Sequence, residues 1–196
     1  FRSKAKFLDE NCVELEDGTL LKADKYVIST GSKISMPDVT GLNQVSFKTS
    51  DDVLDLSEIP EEVVVLGGGI VACELAQFLS RVGSQVTLLQ RSDYILKEFP
   101  QKASTCIKEK FIDEGINVLT GVSLTNLKQI DNETICVNYH SVDEDHSVKT
   151  KFLFHALGRT PATDGLNLDD IGVKITKSGH IQTNAFQQTS IPHIYA

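Results

Sequence analysis

Three consecutive glycines, Gly67, Gly68 and Gly69, with Ala72 three residues further on, are the positions whose types and spacing most directly imply chemistry. They sit in EVVVLGGGIVACELAQFLSRVGSQVTLLQR, Glu62 to Arg91, which is an apolar run, a glycine turn, a helical pattern and a second apolar run. Gly67 permits the tight turn, and Gly69 lets an anion approach the backbone. Ala72 replaces the third glycine of the strict Gly-x-Gly-x-x-Gly pattern and is small enough for helix to pack on strand. The unpaired N–H groups of the helix start then face the anion, which points to the pyrophosphate of a dinucleotide. A glycine turn that merely packs is the competing reading. The strand before it, the helix after it and a second strand about 20 residues on favour the dinucleotide.

The elements that must position this turn follow from periodicity. Val63 to Leu66 are too few for a helix and β-branched enough for a strand buried on both faces of a parallel sheet. Val71, Leu75, Phe78, Leu79 and Val82 fall on one helical stripe, and Gly83 is placed to stop the helix in the left-handed conformation. Gln85 to Leu89 is the second strand. Pro100 opens a helix whose apolar face uses Ala103, Ile107 and Phe111; Gly115 ends it, and Ile116 to Leu119 is a third parallel strand. From Ser123 the pattern becomes hairpin-like. Leu124 to Ile130, Thr134 to Tyr139 and Val148 to Phe154, joined by Asp131-Asn132 and an acidic turn at Asp143-Glu144-Asp145, predict a three-stranded meander on the sheet.

Upstream, Lys6 to Leu8, Cys12 to Leu15 and Thr19 to Ser29 are β-like, with Asp17-Gly18 a strong hairpin signal. The last run leads into Thr30, Gly31 and Ser32, small residues that suit a ligand's close approach as well as a plain turn. Residues 33–48 read as a loop, and Ser50-Asp51-Asp52 as the cap of a short helix through Leu56. The tail is loop-rich, with β pieces at Gly172 to Ile175 and His180 to Gln182.

Composition narrows the function classes. A net charge of −8 with scattered Lys and Arg argues against a nucleic-acid surface. No apolar run approaches the about 18 residues of a membrane helix. Cys12, Cys73, Cys106 and Cys136 form no CxxC or CxxxxC pair, which leaves no local redox pair and no zinc signature; they are expected to be reduced, buried packing residues of a cytoplasmic protein. His140 and His146, without metal-ligand partners nearby, read as surface histidines. The chain opens at Phe1 and closes at Ile194-Tyr195-Ala196 in a strand-like run, so both ends are expected to be cuts in a longer protein.

Four motifs stand in one order: Thr30-Gly31-Ser32, GGGIVACE at 67–74, Gly158-Arg159-Thr160-Pro161, and TSIPHIYA at 189–196. Their order and spacing resemble the class I pyridine nucleotide-disulfide oxidoreductases, flavoproteins such as dihydrolipoamide dehydrogenase, glutathione reductase and mercuric reductase. The resemblance implies an α/β, Rossmann-like FAD/NAD(P)-binding fold in which residues 33–158 are the NAD(P)-binding domain, and 1–32 and 159–196 are flanks of an FAD-binding domain. It implies that Thr30, Gly31 and Ser32 lie near FAD, that Gly67, Gly68, Gly69, Ile70 and Val71 hold the nicotinamide dinucleotide, and that Gly158 and Arg159 lie near its nicotinamide half. Glu74 matches the family glutamate that pairs with a lysine beside the flavin; an ordinary polar helix residue is the alternative. Ile70 stands where glutathione reductases carry a tyrosine, which counts against glutathione as substrate. The family's first FAD fingerprint, its CxxxxC disulfide and the C-terminal domain through which it forms homodimers are outside these residues, so this piece alone is expected to be inactive.

An NAD site normally ends its second strand in Asp or Glu, which accepts from the ribose hydroxyls. Here Gln90 stands there, followed by Arg91 and, six residues later, Lys97, at the spacing of the two basic residues that hold the 2′-phosphate in NADPH-dependent relatives. NADP is therefore preferred over NAD, although Gln90 still suits a ribose hydroxyl. Three functions remain open: transfer of hydride between NAD(P)H and FAD coupled to a disulfide, a flavin-dependent oxidase or ferredoxin reductase without one, and a non-catalytic NAD(P)-binding module.

Overall fold

The computed structural model describes residues 1–196. In chain order its strands and helices are β1 (Ala5–Asp9), β2 (Cys12–Leu15), β3 (Leu20–Leu21), β4 (Tyr26–Val27), β5 (Ser32–Ile34), β6 (Glu62–Leu66), α1 (Ile70–Arg81), β7 (Gln85–Gln90), α2 (Gln101–Asp113), β8 (Asn117–Thr120), β9 (Ser123–Gln129), β10 (Ile135–Ser141), β11 (Glu144–Thr150), β12 (Phe152–His155), β13 (Arg159–Pro161) and β14 (Ile194–Tyr195). They form two compact units, residues 35–158 and residues 1–34 with 159–196.

The unit of residues 35–158 is built on a parallel sheet in the order β12-β6-β7-β8. Lys48 extends the outer edge of β12, donating its N–H to the Leu153 carbonyl and accepting from the His155 N–H, each at 2.8 Å. β6 is the constraint that shapes the rest, because Val63 to Leu66 are all at most 2% exposed. A strand alternates its side chains, so a strand this apolar needs cover on both faces. Val63 and Val65 pack with α1 and α2, while Val64 and Leu66 pack with Leu127, Ile135 and Val137 of an antiparallel β9-β10-β11 sheet. The α/β reading with a parallel sheet and a meander is thus what the structure holds.

Details differ from the sequence expectations, each for a local reason. In α1 the buried residues are Ala72, Cys73, Leu75, Ala76 and Leu79, whereas Val71, Phe78 and Val82 stay 37 to 43% exposed. Small side chains face the sheet because helix and strand approach closely there. In α2 Ser104, not Ala103, is buried, its hydroxyl donating to the Ile95 carbonyl at 2.6 Å. The third meander strand ends at Thr150; Phe152–His155 is a separate strand that runs parallel to β6. The hairpin before it turns at Val142 and Asp143, both at positive φ as a two-residue type I′ turn requires, so Glu144 and Asp145 belong to the strand.

The expected short helix is only a 3-10 turn at Val53–Asp55, because the Asp52 carboxylate folds back to accept from the Thr49 N–H and hydroxyl. Two of the cysteines are not core residues: Cys12 and Cys73 are buried, but Cys106 is exposed and Cys136 only partly covered, all four as free thiols.

In the unit formed by residues 1–34 and 159–196, β1, β2 and β3 make an antiparallel sheet, β5 pairs with β13, and β4 pairs in parallel with β14. The run expected over Thr19 to Ser29 breaks between Leu21 and Tyr26, where the Tyr26 hydroxyl accepts the Ala23 N–H. Gly18 has φ of 82°, as the Asp17-Gly18 turn demands. The two expected tail strands are reduced to one bridge, Ile175 to Ile181. A small core of Phe7, Leu168, Val173 and Ile194 ties the segments together.

His155 ends β12 at 3% exposure, its ring 5.0 Å from that of Phe47 and neither ring nitrogen hydrogen-bonded. Burial pushes its pKa below the ordinary histidine value. The folded state therefore keeps it neutral, and unfolding takes up a proton at pH values below about 6.5. Stability should fall as pH drops below that value, by no more than about 1.4 kcal/mol per pH unit, and be unaffected by this group above it. Urea denaturation from pH 7.5 to 5 should show this slope in the natural protein and a smaller one in His155→Leu.

Candidate functional site

The site is built at the C-terminal end of β6. Gly67 has φ of 115°, and a Cβ there would lie 2.4 Å from the Ala156 carbonyl oxygen, so only glycine fits. Its N–H donates to the Leu89 carbonyl at 2.8 Å, which fastens the turn to β7. A Cβ on Gly68 would meet the Gln90 side chain at 2.8 Å. The Gly68 carbonyl accepts from the Leu96 N–H at 2.6 Å and faces the Cys73 thiol at 3.8 Å. Gly69 differs from both, since a Cβ there would meet open space.

Gly69 is also the N-cap of α1, and no side chain caps that helix. The first N–H groups of an α-helix have no partner inside it, and the helix dipole adds a partial positive charge. An uncapped helix start beyond the C-terminal end of a parallel strand, open above Gly69, fits the phosphates of a dinucleotide. Half-exposed Ile70 and two-fifths-exposed Val71 form the outer side of this first turn, and exposed Glu74 follows in the next turn. The Cys73 thiol is pushed up to about 12, first by burial and then by the Glu74 charge, so it stays protonated and can donate.

At the end of β7 the half-buried Gln90 donates its Nε2 to the Ser92 hydroxyl. Arg91 is exposed, and so is Lys97, which lies 3.6 Å from Glu98. The Leu96 bond to Gly68 carries the far end of this loop, with Lys97, back beside the glycine turn. Gly67, Gly68, Gly69, Ile70, Val71, Glu74, Gln90 and the 91–97 loop all lie in the unit of residues 35–158, where Gln90 and Leu96 meet Gly68. Gly158, at φ of 118°, lies in the same unit and accepts the Ser35 N–H at 3.0 Å.

Thr30, Gly31, Ser32 and Arg159 belong to the other unit. There the Arg159 Nε donates to the Ser32 hydroxyl at 2.8 Å, and its guanidinium also reaches the Ser32 carbonyl at 3.0 Å. Gly31 accepts the Ala162 N–H at 3.0 Å. No group of His, Cys, Asp and Glu is placed to hold a metal ion, and no helix is long and apolar enough to cross a membrane.

Sequence reasoning missed Leu96, Cys73 and Ser92. Cys73 was within reach, because it stands one helical turn from Gly69. Leu96 carries no sequence signal: it adopts φ of 52°, a conformation that a leucine does not advertise.

The sequence model of the pyridine nucleotide-disulphide oxidoreductases matches residues 1–196. The chain belongs to this family. Members of the family use FAD and NAD(P)H. A mercuric reductase from Lysinibacillus sphaericus is 36% identical over 196 residues, covering 100% of this chain and 35% of that protein. A dihydrolipoyl dehydrogenase from Bacillus subtilis is 33% identical over 199 residues, covering 100% and 42%. The solved HOCl-induced flavoprotein disulfide reductase from Escherichia coli superposes with a TM-score of 0.86 at 23% identity, covering 99% of this chain and 44% of that one, a likeness of fold. The chain spans 35% and 42% of the length of these two relatives.

Substitutions at the turn should separate its glycines. Gly67→Ala meets both a positive φ and the Ala156 carbonyl, and is expected to cost at least about 2 kcal/mol. Gly69→Ala meets neither and should cost about 1 kcal/mol or less. Midpoints and slopes of urea unfolding check the order.

Proposed function

We propose that residues 35–158 are the NAD(P)H-binding part of an FAD-dependent oxidoreductase, and that residues 1–34 and 159–196 contribute to its FAD-binding domain. The observation that carries this reading is the uncapped α1 N-terminus behind Gly67-Gly68-Gly69, open above Gly69, in a chain matched from end to end by the family. The overall activity is hydride transfer between NAD(P)H and FAD, coupled to a redox disulfide supplied from beyond these residues; the four cysteines here are free and their spacing makes no such pair.

Each residue has a defined task. The N–H groups of the α1 start and of Gly69 donate to the pyrophosphate oxygens, and the absence of a Cβ at Gly69 lets the anion approach. Ile70 and Val71 offer an apolar surface beside the helix start. Glu74 holds a negative charge that a lysine of the flavin site would neutralise. Gly158 ends the unit where the backbone passes with positive φ, and in the other unit Arg159, braced on Ser32, stands with Thr30 and Gly31 for cofactor binding there. When bound, the nicotinamide and flavin supply the redox chemistry; the protein supplies orientation and exclusion of water.

At the adenosine end we favour NADP(H). No carboxylate stands at Gln90 to repel a 2′-phosphate, and Arg91 and Lys97 are exposed cations at either end of a loop tied to the glycine turn. Gln90 supports the second reading, NAD(H), because with its Nε2 engaged by Ser92 its Oε1 can accept from a ribose hydroxyl. Parallel titrations with NADPH and NADH decide this. The expected result is tighter NADPH binding, a preference lost in Arg91→Glu. Equal or NADH-favouring affinity, indifferent to Arg91→Glu, would overturn the NADP assignment.

A further inference from the structure

The Gly68-Gly69 peptide has a property that its sequence does not require. Glycine occupies both hands of backbone space with little penalty, so a peptide between two glycines is the easiest in a protein to flip. One orientation points the Gly69 N–H outward at an anion. The other points the Gly68 carbonyl there and repels it. A trans peptide holds C=O and the following N–H on opposite sides, so whatever fixes the Gly68 carbonyl also aims the Gly69 N–H.

Two groups fix that carbonyl from the inside. The Leu96 N–H reaches it at 2.6 Å, and the Cys73 thiol at 3.8 Å. Both residues are buried, Leu96 at 9% and Cys73 at 6% exposure. Leu96 makes its bond from φ of 52°, a region that leucine seldom adopts and that the rest of the 91–99 loop must enforce. The thiol, pushed up to about 12, never loses its proton in the physiological range and so remains a donor.

We infer that Leu96 and Cys73 are positioning residues for the dinucleotide pyrophosphate, clamping the Gly68 carbonyl inward so that the Gly69 N–H is preset toward the phosphates. This rests on the glycine turn being the nucleotide site proposed above. It also gives the loop that carries Lys97 a direct mechanical tie to the pyrophosphate subsite, so that the two ends of the dinucleotide are read by one connected stretch of chain.

The test exploits two substitutions at Leu96 that invert the outcome expected from packing alone. Leu96→Ile preserves volume and hydrophobicity, yet a β-branched residue resists positive φ; Leu96→Asn loses apolar packing, yet asparagine tolerates positive φ. Binding of oxidised NADP and NAD, ADP-ribose and adenosine would be measured by calorimetry on the intact flavoprotein, with thermal unfolding alongside. The clamp requires Leu96→Ile to weaken the pyrophosphate-bearing ligands about fivefold, the scale of one neutral hydrogen bond, while leaving adenosine unchanged. It also requires Leu96→Asn to bind them within about twofold of the natural protein, on the same scale, despite a lower melting temperature.

Cys73→Ala should weaken the same ligands two- to fivefold, roughly the share of a weak thiol donor, and Cys73→Ser should restore them. If Leu96→Ile binds normally and Leu96→Asn does not, or if adenosine weakens in parallel with ADP-ribose, packing explains the loop and the clamp is wrong. If the natural protein binds neither dinucleotide nor ADP-ribose, the nucleotide assignment itself fails.

Discussion

A Cβ at Gly67 would stand 2.4 Å from the Ala156 carbonyl, and on that close approach the rest of the larger unit depends. β6 and β12 lie side by side, and both chains must leave the sheet at the same level. The lack of a Cβ at Gly67, beside the Ala156 carbonyl, lets β6 turn into α1 without prying the strands apart. From there α1 lies on one face of the sheet, the meander on the other, and the helix start is held above the strand ends. Nothing about the site needs to be added to this frame, because an uncapped helix N-terminus is left there by geometry alone.

The parallel strands were plain in the sequence because their burial on both faces demands unbroken β-branched and leucine runs, and Val63 to Leu66 can be little else. The glycines were equally plain, since three of them between a strand-like run and a helical stripe are a signal in themselves. What escaped were features decided by neighbours. Val71, Phe78 and Val82 share a helical stripe with Leu75 and Leu79, but closeness of α1 to the sheet admits Ala72 and Ala76 instead. The break at Lys151 depends on the Thr150 hydroxyl bonding across to Phe152, which no periodicity reveals. Leu96 is the clearest case: a leucine gives no hint of positive φ, and its reason is a carbonyl 28 positions earlier, from 96 − 68.

The two units differ in how they are assembled, and the difference tracks the chemistry proposed for each. The larger one is a continuous segment with cores on both faces of one sheet. The smaller is stitched from the two ends of the chain by short pairings, β5 with β13 and β4 with β14, around a core of four buried residues. Arg159 and Ser32 meet only because of such a stitch, so their partnership could not be read from either segment by itself.

Because β4 pairs with β14, Tyr26 opposite Ile194, that pairing cannot form until the late strand has been made. At about 5–20 residues per second, a ribosome leaves Tyr26 to Ile28 waiting on the order of ten seconds or more, while all of residues 35–158 have emerged and can close around their own sheet. The order of synthesis thus lets the continuous unit close around its own sheet before the β4–β14 pairing forms. For that interval the Tyr26 and Ile28 N–H groups lack the His193 and Tyr195 carbonyls that they bond in the folded chain.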